Sequence, residues 1–265
     1  MVLKLGITGA RGRMGIANLR AAAQHAAVSG IVAHARIAAH AEAAAREAGL
    51  DISAITFTDS LDQLLEQSNV IIDFTLPDFT LELATAAAKA QIPLVSGTTG
   101  LSTAQQKQLK QLGEQIPLVW AANMSVGVTV FTALVEQAAA ALDDNYDIEI
   151  VEMHHRNKVD APSGTALALG QAAAKGRAVD FDQCAVLSRE GHTGERARGS
   201  IGFAALRGGQ VVGDHTVMFA GESERFELTH KSSSRDIYAQ GALTAALWLR
   251  NQPSGLYSMR DVVGI

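Results

Sequence analysis

The chain is short of three things, and each absence removes a class of protein. It carries one cysteine in 265 residues, Cys184. No disulfide can form within the chain, which excludes the stapled secreted scaffolds and leads us to expect a reducing, cytoplasmic setting. Positive charge is not in excess: 22 Lys and Arg against 27 Asp and Glu leave a net charge of −5. The broad basic field of a nucleic-acid binder is missing, so an anionic ligand has to be held by local groups. There is also no uncharged apolar run of about 18 residues, so no membrane-crossing helix is expected. Nor is a secretory leader expected, because a strand-like "VLKLGITG" begins at residue 2.

What the chain does have is apolar material for a core, 48% of its residues, in a length suited to one large or two modest domains. Strand-like runs at 2–7, 30–36, 69–75, 92–100 and 117–123 alternate with helical stretches at 12–27, 41–49, 60–68, 78–90 and 102–115. Alternation of this kind means β-α-β units and a parallel sheet. Runs such as "VIIDF" are apolar on both faces, as strands covered from both sides require. The pattern changes after about residue 126. A long helix over 127–142 leads to "YDIEIVEMHH", which alternates like a strand. A helix follows at about 163–175. Then "IGFAALRG", "QVVGDHTVMFAG" and "SERFELTHK" read as an antiparallel meander, separated by "RGGQ" and "GESE". The fold class expected is α/β: a Rossmann-like parallel-sheet nucleotide domain joined to an α+β domain with an open mixed sheet. The helix in "RDIYAQGALTAALWLRN" fits either domain by pattern alone.

Between the first strand and first helix, "GITGARGRMG" places Gly9, Gly12 and Gly15 in a G-x-x-G-x-x-G pattern. Glycines there let the backbone approach a pyrophosphate, and the helix N-terminus offers free amides and a positive dipole end. Arg11 and Arg13 add charge. At the end of the second strand an acid selects NAD and a basic residue accommodates the extra phosphate of NADP. Residues 33–40, "AHARIAAH", hold no acid. Arg36 is therefore expected on a 2′-phosphate, with NADPH preferred over NADH. "SGTTG" (96–100) and "AANMS" (121–125) end two further strands, where α/β sheets bind ligands.

The second cluster is "EMHHRNKVDAPSGTA", residues 152–166. Zinc sites need three or four ligands at spacings such as H-E-x-x-H. Here the two histidines are adjacent and Lys158 would repel a cation, so no metal site is expected. A solvated basic turn is a second reading. Against it, Pro162 precedes a helix start at which Ser163 suits the N-cap, and that leaves the Gly164 and Thr165 amides at a helix N-terminus, a carboxylate site. With His154, His155, Arg156 and Lys158 alongside, this describes a pocket for a small polycarboxylate. A histidine delivers protons near neutral pH, and a lysine holds a carboxylate or a developing negative charge. Strand alternation sends His154 and His155 to opposite faces. Both reach one pocket only if the chain leaves strand geometry at or just before His155.

Taken together, "GARGRMG", "SGTTG", "EMHHRNKVDAPSGTA", "REGHTGERARGSIGF", "GDHTVMFAG" and "ELTHKSSSRDIYAQGA" closely resemble the bacterial 4-hydroxy-tetrahydrodipicolinate reductase family across essentially the whole chain. The resemblance implies NAD(P)H-dependent reduction of (2S,4S)-4-hydroxy-2,3,4,5-tetrahydrodipicolinate, with loss of water, in diaminopimelate and lysine biosynthesis. It implies His154 as proton donor and acceptor and Lys158 as second proton donor. His155 and the Gly164 and Thr165 amides become carboxylate contacts, with Ser163 nearby. Cofactor contacts become Gly9, Ala10, Arg11, Gly12, Arg13 and Met14, then Gly97, Thr98 and Thr99, then Ala121, Ala122, Asn123 and Met124. The resemblance also implies a nucleotide domain over 1–126 and 236–265, a substrate and oligomerisation domain over 127–235, hinges near both crossings, and a homotetramer. Many members carry an acid before the arginine at the end of the second strand; Ala35 stands there here, which favours NADPH. A semialdehyde dehydrogenase would need a nucleophilic cysteine, and Cys184 lies in "FDQCAV", far from these loops. A non-catalytic cofactor sensor would have no use for the histidine, lysine and helix end together.

Overall fold

The computed structural model of the protein describes residues 3–265, so the strand start expected at Val2 lies outside the described residues. The chain runs through β1 (Leu3–Ile7), α1 (Arg13–Ala23), β2 (Val28–His34), α2 (Ala38–Glu47), β3 (Ile55–Thr58), α3 (Leu61–Gln67), β4 (Val70–Asp73), α4 (Pro77–Ala90), β5 (Leu94–Ser96), α5 (Thr103–Gly113) and β6 (Pro117–Trp120). Next come α6 (Val126–Ala141), β7 (Asp147–His154), α7 (Gly164–Gly176), α8 (Phe181–Cys184), β8 (Ala185–Val186), β9 (Ile201–Arg207), β10 (Gly213–Ala220) and β11 (Arg225–Ser232). The last elements are α9 (Asp236–Leu249), β12 (Gly255–Tyr257) and α10 (Met259–Val263). One unit reaches Val126 and resumes at Asp236–Gly264; the other is Gly127–Arg235.

In the first unit the strand order is β12-β6-β5-β4-β1-β2-β3, with every neighbouring pair parallel. Alternation along the strands feeds two cores. Leu3, Leu5 and Ile7 of β1, with Val70 and Ile72 of β4, pack among residues of α1 and α9. Ile71 of β4 and Leu94 of β5 point the other way, into a core with Leu64, Leu83 and Leu109. Local signals set the helix ends. Ser60 caps α3 by accepting from Gln63 N, and Ser102 and Gln105 close a capping box on α5. The chain winds from β1 to β3 in one direction and from β4 to β6 in the other. The crevice at the carboxyl ends of β1 and β4, where the winding reverses, is the ligand site of such sheets. Two strands of this sheet, β3 and β12, were not among the expected runs.

The second unit is a five-stranded sheet in the order β11-β10-β7-β9-β8. Helices α6 and α7 cover one face through Phe131, Val135, Leu169 and Ala173, which meet Ile148, Ile150, Phe203, Val217 and Phe219. The sheet is mixed, but the three-stranded meander expected from the last runs does not form. Only β10 and β11 make an antiparallel hairpin. Strand β7 lies between β9 and β10, parallel to the first and antiparallel to the second. The "RGGQ" segment does reverse the chain, but it spans two strand spacings, about 10 Å. It is tied across the end of β7 by Gly208 N to His154 O (2.9 Å) and Arg156 N to Gly209 O (3.3 Å). A central strand has two edges to satisfy, and β7 takes both of these neighbours.

Helix α9 packs on α1 in the first unit. It comes so close to the loop after β6 that a Cβ at Gly241 would sit 1.7 Å from Met124 O. Backbone cannot yield as a side chain can. Gly241→Ala is expected to lower stability by about 3 kcal/mol, read as a fall in the urea unfolding midpoint; a wild-type midpoint would show that the helix shifts freely.

Candidate active site

Two groups of residues stand out, one in each unit. In the first, the β1–α1 loop is shaped for close approach. Gly9 has φ +62°, and a Cβ at Gly15 would lie 2.2 Å from Gly9 O. Ala10 N donates to His34 O (3.1 Å) and Gly12 N to Gly9 O (2.8 Å), which folds the loop onto the ends of β1 and β2. Gly12 caps α1 without a side-chain hydrogen bond, so the amides of the first turn are left for a ligand. Arg11 and Arg13 are exposed beside them and Met14 is half-buried. Among the described residues this cradle fits the pyrophosphate of a dinucleotide. Arg36 is exposed two residues beyond β2, after the buried Ala35.

The other expected cofactor residues divide by burial. Gly97 and Thr98 are buried and Thr99 is exposed. Ala121 and Asn123 are half-buried and Ala122 is exposed, whereas Met124 is enclosed in the core. Asn123 Oδ1 accepts from Ser125 N (2.9 Å), which tightens that turn. The Trp120 indole donates to Thr98 O (3.0 Å), tying the ends of β5 and β6 together.

In the second unit the histidine cluster is built from the end of β7. This strand buries every second residue, and Ile148 and Ile150 are followed on the same face by Glu152 and His154. The strand stops at His154. His155 begins a turn closed by Lys158 N to His155 O (3.1 Å), so the chain leaves strand geometry at the point where a shared pocket for the two histidines needs it to. His154 is 8% exposed and Glu152 1%. His154 Nδ1 lies 2.6 Å from Glu152 Oε2, so the carboxylate fixes Nδ1 as the protonated nitrogen and leaves Nε2 for chemistry. Arg207, at the end of β9, grips both oxygens of Glu152 at 2.8 Å, and Ser163 N donates to Oε1 (3.1 Å). Burial would raise the Glu152 carboxyl, but the hydrogen bonds from Arg207 and His154 outweigh it and hold the group below the usual range.

Ser163 is bonded to this pair directly, and Lys158 is linked to it through Asp160 and Arg207. Ser163 is buried, and its Oγ accepts from Ala166 N (3.1 Å) as the N-cap of α7. The same oxygen is 3.0 Å from His215 Nε2, so Ser163 is fully engaged within the protein. Gly164 is exposed and Thr165 half-buried at the start of this helix. Lys158 Nζ pairs with Asp160 Oδ1 (2.8 Å), whose carboxyl is held low by that hydrogen bond, and Arg207 donates to Asp160 O (2.6 Å). His155 Nε2 lies 3.3 Å from Arg235 Nη2, and its buried Nδ1 has no hydrogen-bond partner among the described residues. Cys184, at the end of α8, is half-buried against the helix-covered core, and burial pushes its thiol up, away from nucleophile chemistry.

Glu152, Arg207 and His215 were not among the expected site residues. Glu152 was within reach, because a period of two puts it on the face of His154. His215 alternates with Val217 and Phe219 on the core face of β10, a polar residue where an apolar one is the rule. Arg207 had no local signal. Burial, and then the neighbouring His154, lower the His215 pKa to about 4. The unfolded chain, with a histidine near 6.5, therefore binds more protons between pH 4 and 6.5, and stability rises with pH across that window. His215→Gln is expected to remove about 3 kcal/mol of that dependence, measured as urea midpoints at pH 4.5 and 7; an unchanged slope would place the titration elsewhere.

Comparison with known proteins agrees across the whole length. The family models described as dihydrodipicolinate reductase, N-terminus and C-terminus, match residues 3–124 and 127–263. The 4-hydroxy-tetrahydrodipicolinate reductase of Halorhodospira halophila is 49% identical over 269 residues, covering 100% of both chains. That of Pseudomonas fluorescens is 47% identical over 266 residues, covering 99% of each. Among solved structures, the dipicolinate-bound dihydrodipicolinate reductase of Paenisporosarcina shares the fold with a TM-score of 0.79 at 24% identity, over 97% of this chain and 98% of that one. With both halves matched in order and relatives nearly half identical end to end, the chain belongs to the dihydrodipicolinate reductase family.

Proposed function

We propose that this chain is an NAD(P)H-dependent oxidoreductase that converts (2S,4S)-4-hydroxy-2,3,4,5-tetrahydrodipicolinate to (S)-2,3,4,5-tetrahydrodipicolinate with loss of water, a step of diaminopimelate and lysine biosynthesis. The observation that carries the reading is the Glu152–His154 pair (2.6 Å) built beside Lys158 and the α7 N-terminus in a chain of this family. Loss of water from the substrate leaves a conjugated imine. A bound NAD(P)H supplies the hydride at C4, and the resulting enamine takes a proton.

In this reading His154 Nε2 exchanges that proton. Glu152 orients the ring through Nδ1 and stabilises the imidazolium when it forms. Lys158, steered by Asp160, is the second proton donor. The Gly164 and Thr165 amides and His155 receive the substrate carboxylates, while Ser163 shapes the helix end from behind. In the first unit, the Gly9–Met14 loop holds the pyrophosphate, and residues 97–99 and 121–124 hold the nicotinamide half. Arg36 meets the 2′-phosphate, which makes NADPH the preferred cofactor. A homotetramer fits the exposed edge strand β11, where Phe226 is 45% exposed, and the single cysteine accords with the cytoplasm.

His154→Ala is expected to reduce turnover about 100-fold or more in an assay with freshly prepared substrate; an unchanged rate would remove His154 from the chemistry. Arg36→Ala is expected to raise the Michaelis constant for NADPH and leave that for NADH near wild type. Equal responses to the two cofactors would refute the phosphate contact.

A further inference from the structure

Asp73 is the last residue of β4, at the reversal point of the parallel sheet, and it is fully buried. Five hydroxyl groups point at its carboxyl group. Thr8 (2.7 Å) and Thr75 (2.6 Å) meet Oδ1; Thr80 (2.6 Å), Ser96 (3.0 Å) and Thr98 (2.9 Å) meet Oδ2. Their places in the chain make this more than core packing. Thr8 immediately precedes Gly9 of the glycine loop, and Thr75 opens the loop after β4. Thr80 lies in the first turns of α4. Ser96 ends β5, and Thr98 sits in the loop beyond it. Further bonds tie these loops to one another. Gly97 N donates to Asp73 O (2.9 Å), Thr75 N to Thr98 Oγ1 (3.1 Å), and Thr98 N to Ser96 Oγ (3.3 Å).

We propose that Asp73 is a positioning residue for the cofactor, its carboxyl group setting the relative placement of the loops that follow β1, β4 and β5. This rests on the reading that the first unit binds a nicotinamide dinucleotide. A sheet interior needs no carboxyl group for stability, and the rest of these strands is packed with Leu, Ile and Val. Burying a carboxyl group is costly unless several donors compensate for lost water. Here all five compensating donors come from segments at the binding end of the sheet. One acceptor thus makes the loop positions interdependent, and without it each hydroxyl would seek a different partner and the cradle would lose its shape.

The test is direct binding to the full-length protein, by fluorescence titration with NADPH and with NADH, for wild type, Asp73→Ala, Asp73→Asn, Thr80→Val and Ser96→Ala. Asp73→Ala is expected to weaken binding of both dinucleotides roughly tenfold or more, about the net value of one hydrogen bond. Asp73→Asn keeps one acceptor oxygen and recovers most of the affinity. In steady-state assays the KM for cofactor should rise while kcat at saturating cofactor changes less than about twofold, as expected for lost uniform binding. Ile72→Val, which shortens an apolar side chain of the same strand and leaves every hydroxyl and the Ile72 carbonyl in place, should keep wild-type affinity. If Asp73→Ala does not fold, Thr80→Val and Ser96→Ala decide, each expected to weaken binding by roughly threefold. Wild-type affinity in these variants, or an equal loss in Ile72→Val, overturns the proposal. Wild-type protein that binds neither dinucleotide overturns the cofactor reading, and this proposal with it.

Discussion

A carboxyl group removed from water must be given hydrogen-bond donors, and this constraint organises both units of the protein. Asp73 and Glu152 each end the apolar part of a central strand, each is at most 1% exposed, and each collects its partners from distant segments. The donors they gather are the segments that form the two candidate binding regions. Loops that have to meet a ligand gain a common reference point in this way, which turn propensity alone would not supply.

The two solutions differ, and the difference matches the tasks proposed for them. Asp73 is satisfied by neutral hydroxyls, short side chains that lock backbone to backbone without bringing in charge. Glu152 is satisfied by a guanidinium, an imidazole and a backbone amide. Arg207 offsets the carboxylate's burial, so Glu152 stays ionised while still presenting an acceptor to His154 Nδ1. A carboxylate without that arginine would be driven toward its neutral form and would hold the imidazole less firmly. His215 completes the arrangement from the opposite side. It is kept neutral by burial, stands edge-on to His154 with ring centroids 5.1 Å apart, and so does not compete with it for protons.

Much of this could be read in the chain before it was folded, because the relevant signals are local. The strand, the glycine spacing and the helix of the first loop lie within about 25 residues of one another. Likewise "HHRNKVDAPSGT" carries the strand end, the turn and the N-cap in one stretch. Strand alternation also posed the question of how His154 and His155 could share a pocket, and the chain does leave strand geometry at His155. Other features were only half legible. Glu152 and His215 sit at correct strand positions to be flagged as polar residues on a core face, yet nothing local says what would satisfy them. Thr98 sits in a loop that reads as cofactor-binding, but its hydroxyl is turned inward to Asp73.

By itself the sequence determined the alternation of strands and helices, the open glycine loop at the first helix, and the residue types available for proton transfer. All three follow from periods of 2 and 3.6 residues and from the stereochemistry of glycine, proline and serine over short spans. Only the tertiary structure decided that β7 lies between β9 and β10, because strand order depends on which edges are left unpaired once the whole sheet assembles. Only it brought Arg207 across 55 residues to Glu152, and Thr8 and Thr98 to Asp73 from either side in the chain. Buried polar groups choose partners by proximity after folding, and proximity at that range is set by packing, not by any local pattern.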